Sequence, residues 1–292
     1  MKTIASLFLL LAAGSRAADA TPALPSDNFF DSGGTKIHYV EQGRGPPVLL
    51  IHGYLGTADR HWISTGVFAN LAADHRVIAL DCRGHGKSGK PHDPTAYGTE
   101  MGKDIVRLLD HLKISRAHIV GFSMGAIIVG HLLTTDADRF LSAALVGHPT
   151  VRRWTAVDEQ EAEAAARDLE SDPPFRAFIL NAPRNAPPPN EDEIRRLSQT
   201  LTAANDAKAL AAYQRGRRAL AVTDDAVAAV RVPVLGIIGS ADPSLAGMRD
   251  LKSVMPALSL IIVDGAEHGG ERGVLRRPEF LVAFRAFLAA RR

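Results

Sequence analysis

Cysteine is nearly missing from this chain: Cys82 is the one thiol in 292 residues. A single thiol excludes a disulfide framework within the chain and any cysteine-based metal cage. Aromatic residues are sparse at 6%, and charge of one sign is in short supply, since 34 Lys and Arg against 32 Asp and Glu leave +2. The basic residues are scattered rather than gathered on a stripe, so nucleic acid is not an expected partner. What is present, 46% hydrophobic and 23% charged residues, is ordinary globular composition. It excludes a disordered, collagen-like or multi-span membrane protein. The length suits one large α/β domain carrying an insertion.

The first twenty residues differ from the rest. Lys2 gives a short positive start, residues 7–13 are an apolar run, and Ala18-Asp19-Ala20 places small residues around one variable position. This pattern predicts a signal peptide over 1–20, cleaved after Ala20 or a few residues earlier. The run is too short to span a bilayer, so no stable membrane insertion is expected after cleavage. The mature protein is expected to be exported, to the periplasm or beyond. Its one cysteine has no partner within the chain to mispair with.

Beyond the leader, the hydrophobic pattern alternates between two periods. Residues 36–42 alternate polar and apolar, as a half-buried strand does. Residues 47–51 and 76–80 are continuous apolar runs, which suit parallel strands covered on both faces. Met101, Ile105, Leu108, Leu109 and Leu112 line one face of a helix. A strand at 117–120 and a helix at 125–133 follow, then strands at 141–146, 232–238 and 258–263. A last amphipathic helix is expected over 279–290. The alternation predicts a mostly parallel central sheet with helices on both faces. Between about 150 and 229 no strand pattern occurs, only helical patterns at 156–169, 192–201 and 208–220 and a proline-rich break at 187–189. That stretch is expected to be a helical cap inserted into a core made of 21–149 and 230–292.

The chemistry-bearing motifs sit at strand ends. Gly121-Phe122-Ser123-Met124-Gly125 directly follows a buried strand and opens a helix. Glycines on either side permit a turn sharp enough to push the serine hydroxyl out of the sheet edge. The bland alternative is a packing turn with an idle serine, and the strand–turn–helix context argues against it. His52-Gly53-Tyr54-Leu55-Gly56 ends an earlier strand, where a backbone N–H can be aimed at the serine from the other side. With the Met124 N–H it would make a two-donor hole for a developing oxyanion. Asp81 and Arg83, in a tight loop after the next strand, read as structural polar contacts.

A serine needs a base and the base an orienting acid. In a strand–elbow–helix hydrolase the order is serine, acid, histidine, which leaves His131, His148 and His268. His131 falls inside a helix. His148 ends a strand and is a candidate for the pocket wall, but lacks a preceding acid in a loop. His268 lies on a glycine-rich loop after the last strand. For the acid, Asp242 just past a buried strand leads, with Asp264, Glu267 and Asp250 as the alternatives.

With these landmarks in order, the chain resembles the serine α/β-hydrolase superfamily from about residue 28 to its end. It looks most like the capped esterases, C–C bond hydrolases and cofactor-free haloperoxidase-like enzymes. The resemblance implies Ser123 as nucleophile, His268 as base, Asp242 as orienting acid, and the Tyr54 and Met124 amides as oxyanion hole. Serine at the elbow separates it from the dehalogenases and epoxide hydrolases, which place an aspartate there. The chain departs slightly from the common pattern in Pro243 directly after Asp242 and in the Gly-Gly pair after His268.

The expected function is hydrolysis of a small or medium carboxylic ester, or a related thioester, lactone or C–C bond, through an acyl-enzyme. The partner is then a small ester-like molecule. No zinc spacing, phosphate loop or dinucleotide fingerprint occurs, so no cofactor or metal is expected. The alternative is a ligand-binding protein that keeps the scaffold without turnover, because fold alone does not decide function. His148, Trp154, Phe175, Phe178 and Tyr213 are candidate pocket residues, and Ile179 and Leu180 further apolar candidates in the cap.

Overall fold

In the computed structural model, residues 25–182 and 187–291 are described; the leader expected over 1–20 lies outside the described residues. In chain order the elements are β1 (Asp27–Ser32), β2 (Thr35–Gln42), β3 (Pro47–Ile51), α1 (Val67–Ala72), β4 (Arg76–Leu80), α2 (Thr99–His111), β5 (Ala117–Phe122), α3 (Met124–Thr135) and β6 (Phe140–Val146). Then come α4 (Ala156–Leu169), α5 (Arg176–Asn181), α6 (Glu191–Ala204), α7 (Ala207–Gly216), α8 (Asp224–Ala228), β7 (Val234–Gly239), α9 (Leu245–Val254), β8 (Leu258–Val263) and α10 (Pro278–Ala289).

The strands form one sheet in the order β1-β2-β4-β3-β5-β6-β7-β8. β1 and β2 are antiparallel, β2 meets β4 antiparallel, and every later pairing is parallel. The apolar runs of the central strands now have a reason. Side chains on a strand alternate between faces, so Leu49 and Ile51 of β3 join one hydrophobic cluster while Val48 and Leu50 join the other. The first cluster takes in α2, α3 and α9, and the second takes in α1 and α10. Both faces are covered, so a strand must be apolar throughout. Each fully buried aliphatic side chain contributes roughly 1.5–3 kcal/mol relative to exposure.

The strand order also locates the site. From β3 the chain crosses to β4 on one side, then returns to place β5 on the other side of β3. The loops leaving β3 and β5 therefore diverge at adjacent carboxyl ends, and a crevice opens there.

The stretch between β6 and β7 is helical. α4 and α6 begin with capping boxes, Thr155 with Asp158 and Asn190 with Glu193, which satisfy N-terminal amides that have no partner inside the helix. Ala166, Leu169, Phe175, Ile179, Ile194, Leu210 and Ala211 make a separate small core. α7 joins it to the main body, since Ala209, Ala212 and Tyr213 belong to the sheet's own cluster. α8, within the range expected to be cap, packs on α3 and α9 instead, with Val227 fully buried among the sheet's residues. No described helix is long and apolar enough to cross a membrane.

Candidate active site

Ser123 stands between β5 and α3 with φ 53° and ψ −114°. A non-glycine residue held there costs on the order of 1–3 kcal/mol and persists only where the surroundings enforce it. The enforcement is visible on both sides. A Cβ at Gly121 would lie 2.2 Å from the Gly125 carbonyl oxygen, and one at Gly125 would lie 2.2 Å from that of Ile51. Only glycine lets β3, β5 and α3 approach this closely. The Ser123 amide donates to the Val146 carbonyl at 2.9 Å, tying the turn to β6.

The loops after β7 and β8 bring the partners. His268 Nε2 lies 2.9 Å from Ser123 Oγ, and its Nδ1 lies 2.8 Å from Asp242 Oδ2. The carboxylate can only accept, so Nδ1 carries the proton and Nε2 is left to accept from the serine hydroxyl. The Asp242 side chain is fully buried. Its other oxygen accepts from the Ser244 amide at 2.8 Å, which fixes the carboxylate. The competing acids are held elsewhere. Asp264 accepts from Ser240 at 3.1 Å, Glu267 pairs with Arg272, and Asp250 pairs with Arg152 and with Arg153.

On the other side of the serine is the loop after β3. The Met124 N–H opens α3 and has no partner inside the helix. The Tyr54 N–H shares a peptide unit with the Gly53 carbonyl, which accepts from His52 Nδ1–H at 2.8 Å and from the Gly56 amide at 3.0 Å. A trans peptide points its N–H opposite to its C=O, so anchoring the Gly53 oxygen orients the Tyr54 amide. His52 is buried, and its Nε2 accepts from the Cys82 amide at 2.9 Å, so the tautomer that serves Gly53 is set. Burial pushes the His52 pKa down. Below this loop, Asp81 accepts from the Ala58 and Lys87 amides at 2.8 and 2.9 Å and faces His38 at 2.8 Å. Although burial opposes its charge, these donors and the nearby His52 hold the carboxyl down at about 2. Arg83 makes two bonds to buried Asp104, at 2.7 and 2.5 Å.

Ser123 and His268 open into a cavity of about 500 Å³ whose wall includes Tyr54, His61, Phe178, Leu201 and Leu275. Of the residues expected in the pocket, Phe178 is in this wall. The others are not. His148 is half-buried and donates Nδ1–H to the Pro149 carbonyl at 2.6 Å. The Trp154 indole bonds Glu159 and lies under Arg217. Tyr213 is buried behind Tyr54. Phe175 belongs to the cap's own core and lines a second cavity of about 470 Å³, which shares Tyr54 and Phe178 with the first. Ile179 is buried in the cap and Leu180 is exposed. His61, Leu201 and Leu275 carry no sequence signal, because a short helical turn after β3, the helix α6 and a turn before α10 supply them from distant parts of the chain. Among the described residues no cluster of His, Cys, Asp or Glu converges to hold a metal ion.

Comparison with known proteins follows the same outline. A family model described as alpha/beta hydrolase fold matches residues 46–173. The 3-oxoadipate enol-lactonase 1 of Acinetobacter baylyi is 31% identical over 205 residues, 68% of this chain and 72% of that protein. Against four other curated relatives the chain spans 25% to 41% of their length. Among them is the epoxide hydrolase of Caballeronia sordidicola, 35% identical over 137 residues, 46% of this chain and 41% of that protein. In structure, an esterase from Thermogutta terrifontis superposes with a TM-score of 0.73 at 22% identity, covering 92% of this chain and 99% of that one, a likeness of fold. The matched segment runs from β3 through α4 and contains the turn that raises Ser123, and the chain belongs to the α/β-hydrolase family.

Proposed function

We propose that this chain is a serine hydrolase that cleaves a small or medium carboxylic ester, or a related thioester, lactone or C–C bond, through an acyl-enzyme on Ser123. One observation carries the reading: the unbroken line of hydrogen bonds from Ser123 Oγ through His268 to buried Asp242. Ser123 Oγ attacks the carbonyl carbon while His268 Nε2 takes its proton. Asp242 stabilises the imidazolium so formed, and the Tyr54 and Met124 amides receive the charge that collects on the carbonyl oxygen. The tetrahedral intermediate collapses, His268 returns the proton to the departing alkoxide, and the acyl group stays on Ser123. Water, deprotonated by the same histidine, releases the acid.

The cavity supports a compact substrate, since Phe178 and Leu201 line it on the cap side and pockets of this size class take small molecules. Export to the periplasm or beyond belongs to the same proposal and rests on the leader pattern of residues 1–20. A binding protein without turnover has no need of a serine aligned with a histidine and a buried acid.

Labelling of Ser123 by a fluorophosphonate, together with turnover of p-nitrophenyl esters of graded acyl length, tests the chemistry. Ser123→Ala should abolish both while the fold is kept. Wild-type-like turnover in that variant overturns the mechanism. N-terminal sequencing of the exported protein tests the leader, and an intact Met1 would refute its cleavage.

A further inference from the structure

His61 lies outside the Ser–His–Asp line yet stands in the same cavity wall. It belongs to a single π-helical turn, Asp59–Ile63, after the β3 loop, and such turns often aim a side chain at a functional site. The Gly53 amide donates to its Nδ1 at 3.1 Å. Because the backbone is the donor, Nδ1 must be unprotonated, and a neutral imidazole then carries its proton on Nε2. The ring is clamped. It fills the space where a Cβ on Gly56 would be, 2.2 Å from its Cε1, and meets the Phe122 ring edge-on at 5.0 Å. Nε2 has no hydrogen-bond partner among the described residues and is not among the buried orphan atoms. An unpaired atom outside that set is open to solvent, and the residue that carries it lines the Ser123 cavity. Burial, with His52, Arg60 and His268 nearby, pushes the ring's pKa down to about 3, so the proton pattern persists over the working range of pH.

We propose that His61 is a positioning and substrate-contacting residue of this site. Its Nδ1 holds the Gly53 N–H and thereby the loop that presents the Tyr54 amide, and its Nε2–H donates to an acceptor oxygen of the substrate other than the carbonyl under attack. The proposal rests on the serine-hydrolase reading and adds a substrate class: esters with an ether, hydroxyl, keto or carboxylate oxygen near the scissile bond. His52 and His61 then grip Gly53 with opposite tautomers, one at its oxygen and one at its nitrogen.

Two variants separate the two functions. Asn places an acceptor near the position of Nδ1 but nothing at Nε2; Gln places a donor near Nε2 but no acceptor at Nδ1. The substrates are isosteric pairs, p-nitrophenyl methoxyacetate with p-nitrophenyl butyrate, and 2-methoxyethyl butyrate with n-butyl butyrate. In His61→Asn the ratio of kcat/KM between ether and alkyl ester should fall about tenfold in at least one pair, the scale of one lost hydrogen bond. In His61→Gln kcat should fall about tenfold with every ester while KM changes little, because a loosened oxyanion donor affects the transition state more than the ground state. Fluorophosphonate labelling of Ser123 reports a folded site in each variant. An unchanged ratio in His61→Asn for both pairs, or a wild-type kcat in His61→Gln, overturns the proposal. Wild-type protein that neither takes the label nor turns over any ester overturns the serine-hydrolase reading itself, and the proposal with it.

Discussion

The ring of Tyr213 stacks on the ring of Tyr54, with centroids 5.5 Å apart and planes inclined by 29°. Tyr54 carries one of the two proposed oxyanion amides and Tyr213 belongs to α7, so the helix that joins cap to core packs directly against the loop after β3. Burial pushes the Tyr54 phenol up to about 12, which keeps the ring pair uncharged. Tyr213→Ala removes a buried aromatic at a cost of roughly 3–5 kcal/mol and should lower both the melting temperature and kcat. Tyr213→Phe keeps the stack and should do neither to a comparable degree. Equal losses of kcat in the two variants would show that the stack is irrelevant to the loop.

Asp242→Asn should fold normally and lose activity by on the order of a thousandfold or more, because the amide neither stabilises the imidazolium nor favours the right tautomer. Asp264→Asn, whose carboxylate serves Ser240 instead, should stay within a few-fold of wild type. Steady-state kinetics on a p-nitrophenyl ester decides, and the reverse ranking would move the acid to Asp264.

Gly125→Ala should destabilise the protein by at least about 1–3 kcal/mol, the usual scale of overpacking. The added methyl meets backbone at Ile51, which has no rotamer to yield. A urea titration with an unshifted midpoint would mean that the elbow has more room than the geometry allows.

Phe178 lines both the Ser123 cavity and the cap cavity behind it. Phe178→Ala should join the two and shift preference toward longer acyl chains, raising the ratio of kcat/KM for octanoate over butyrate about tenfold. Preference that stays put in this variant and in Leu201→Ala would leave the cap as a cover with no part in specificity.

Stability should fall as pH drops from about 6.5 toward 4. His61 and His85 are held down at about 3, and His118 at about 4, chiefly by burial. In this window the unfolded chain binds protons at these positions and the folded chain does not, so each histidine removes up to about 1.4 kcal/mol per pH unit. His38 works the other way: facing Asp81 and Asp27 its pKa is raised, so its contribution is present at low pH and lost as pH rises through its folded value. The net sign follows the larger group. Urea midpoints at pH 7, 6 and 5 that stay level or climb toward acid would contradict this balance.

The sequence by itself determined whatever depends on neighbours along the chain. A strand buried on both faces must be apolar throughout, so β3, β4 and β5 stand out as runs. An elbow needs small residues two positions before and after its serine, so Gly121, Ser123 and Gly125 were legible together. Chain order did the rest for His268, and left Asp242 leading over three other acids until the hydrogen bonds at both of its oxygens were seen. β1 gives no such run, because at a sheet edge only its Phe30 and Ser32 are buried. The cavity wall was decided by tertiary structure alone. Side chains of one cap segment turn either toward the cap's own core, as Phe175 at the start of α5 does, or toward the site, as Phe178 within α5 does, and hydrophobicity is indifferent to that choice. His61 shows the same limit at finer scale: its tautomer follows from the Gly53 amide eight residues away, a partner that only the fold of the β3 loop brings within reach.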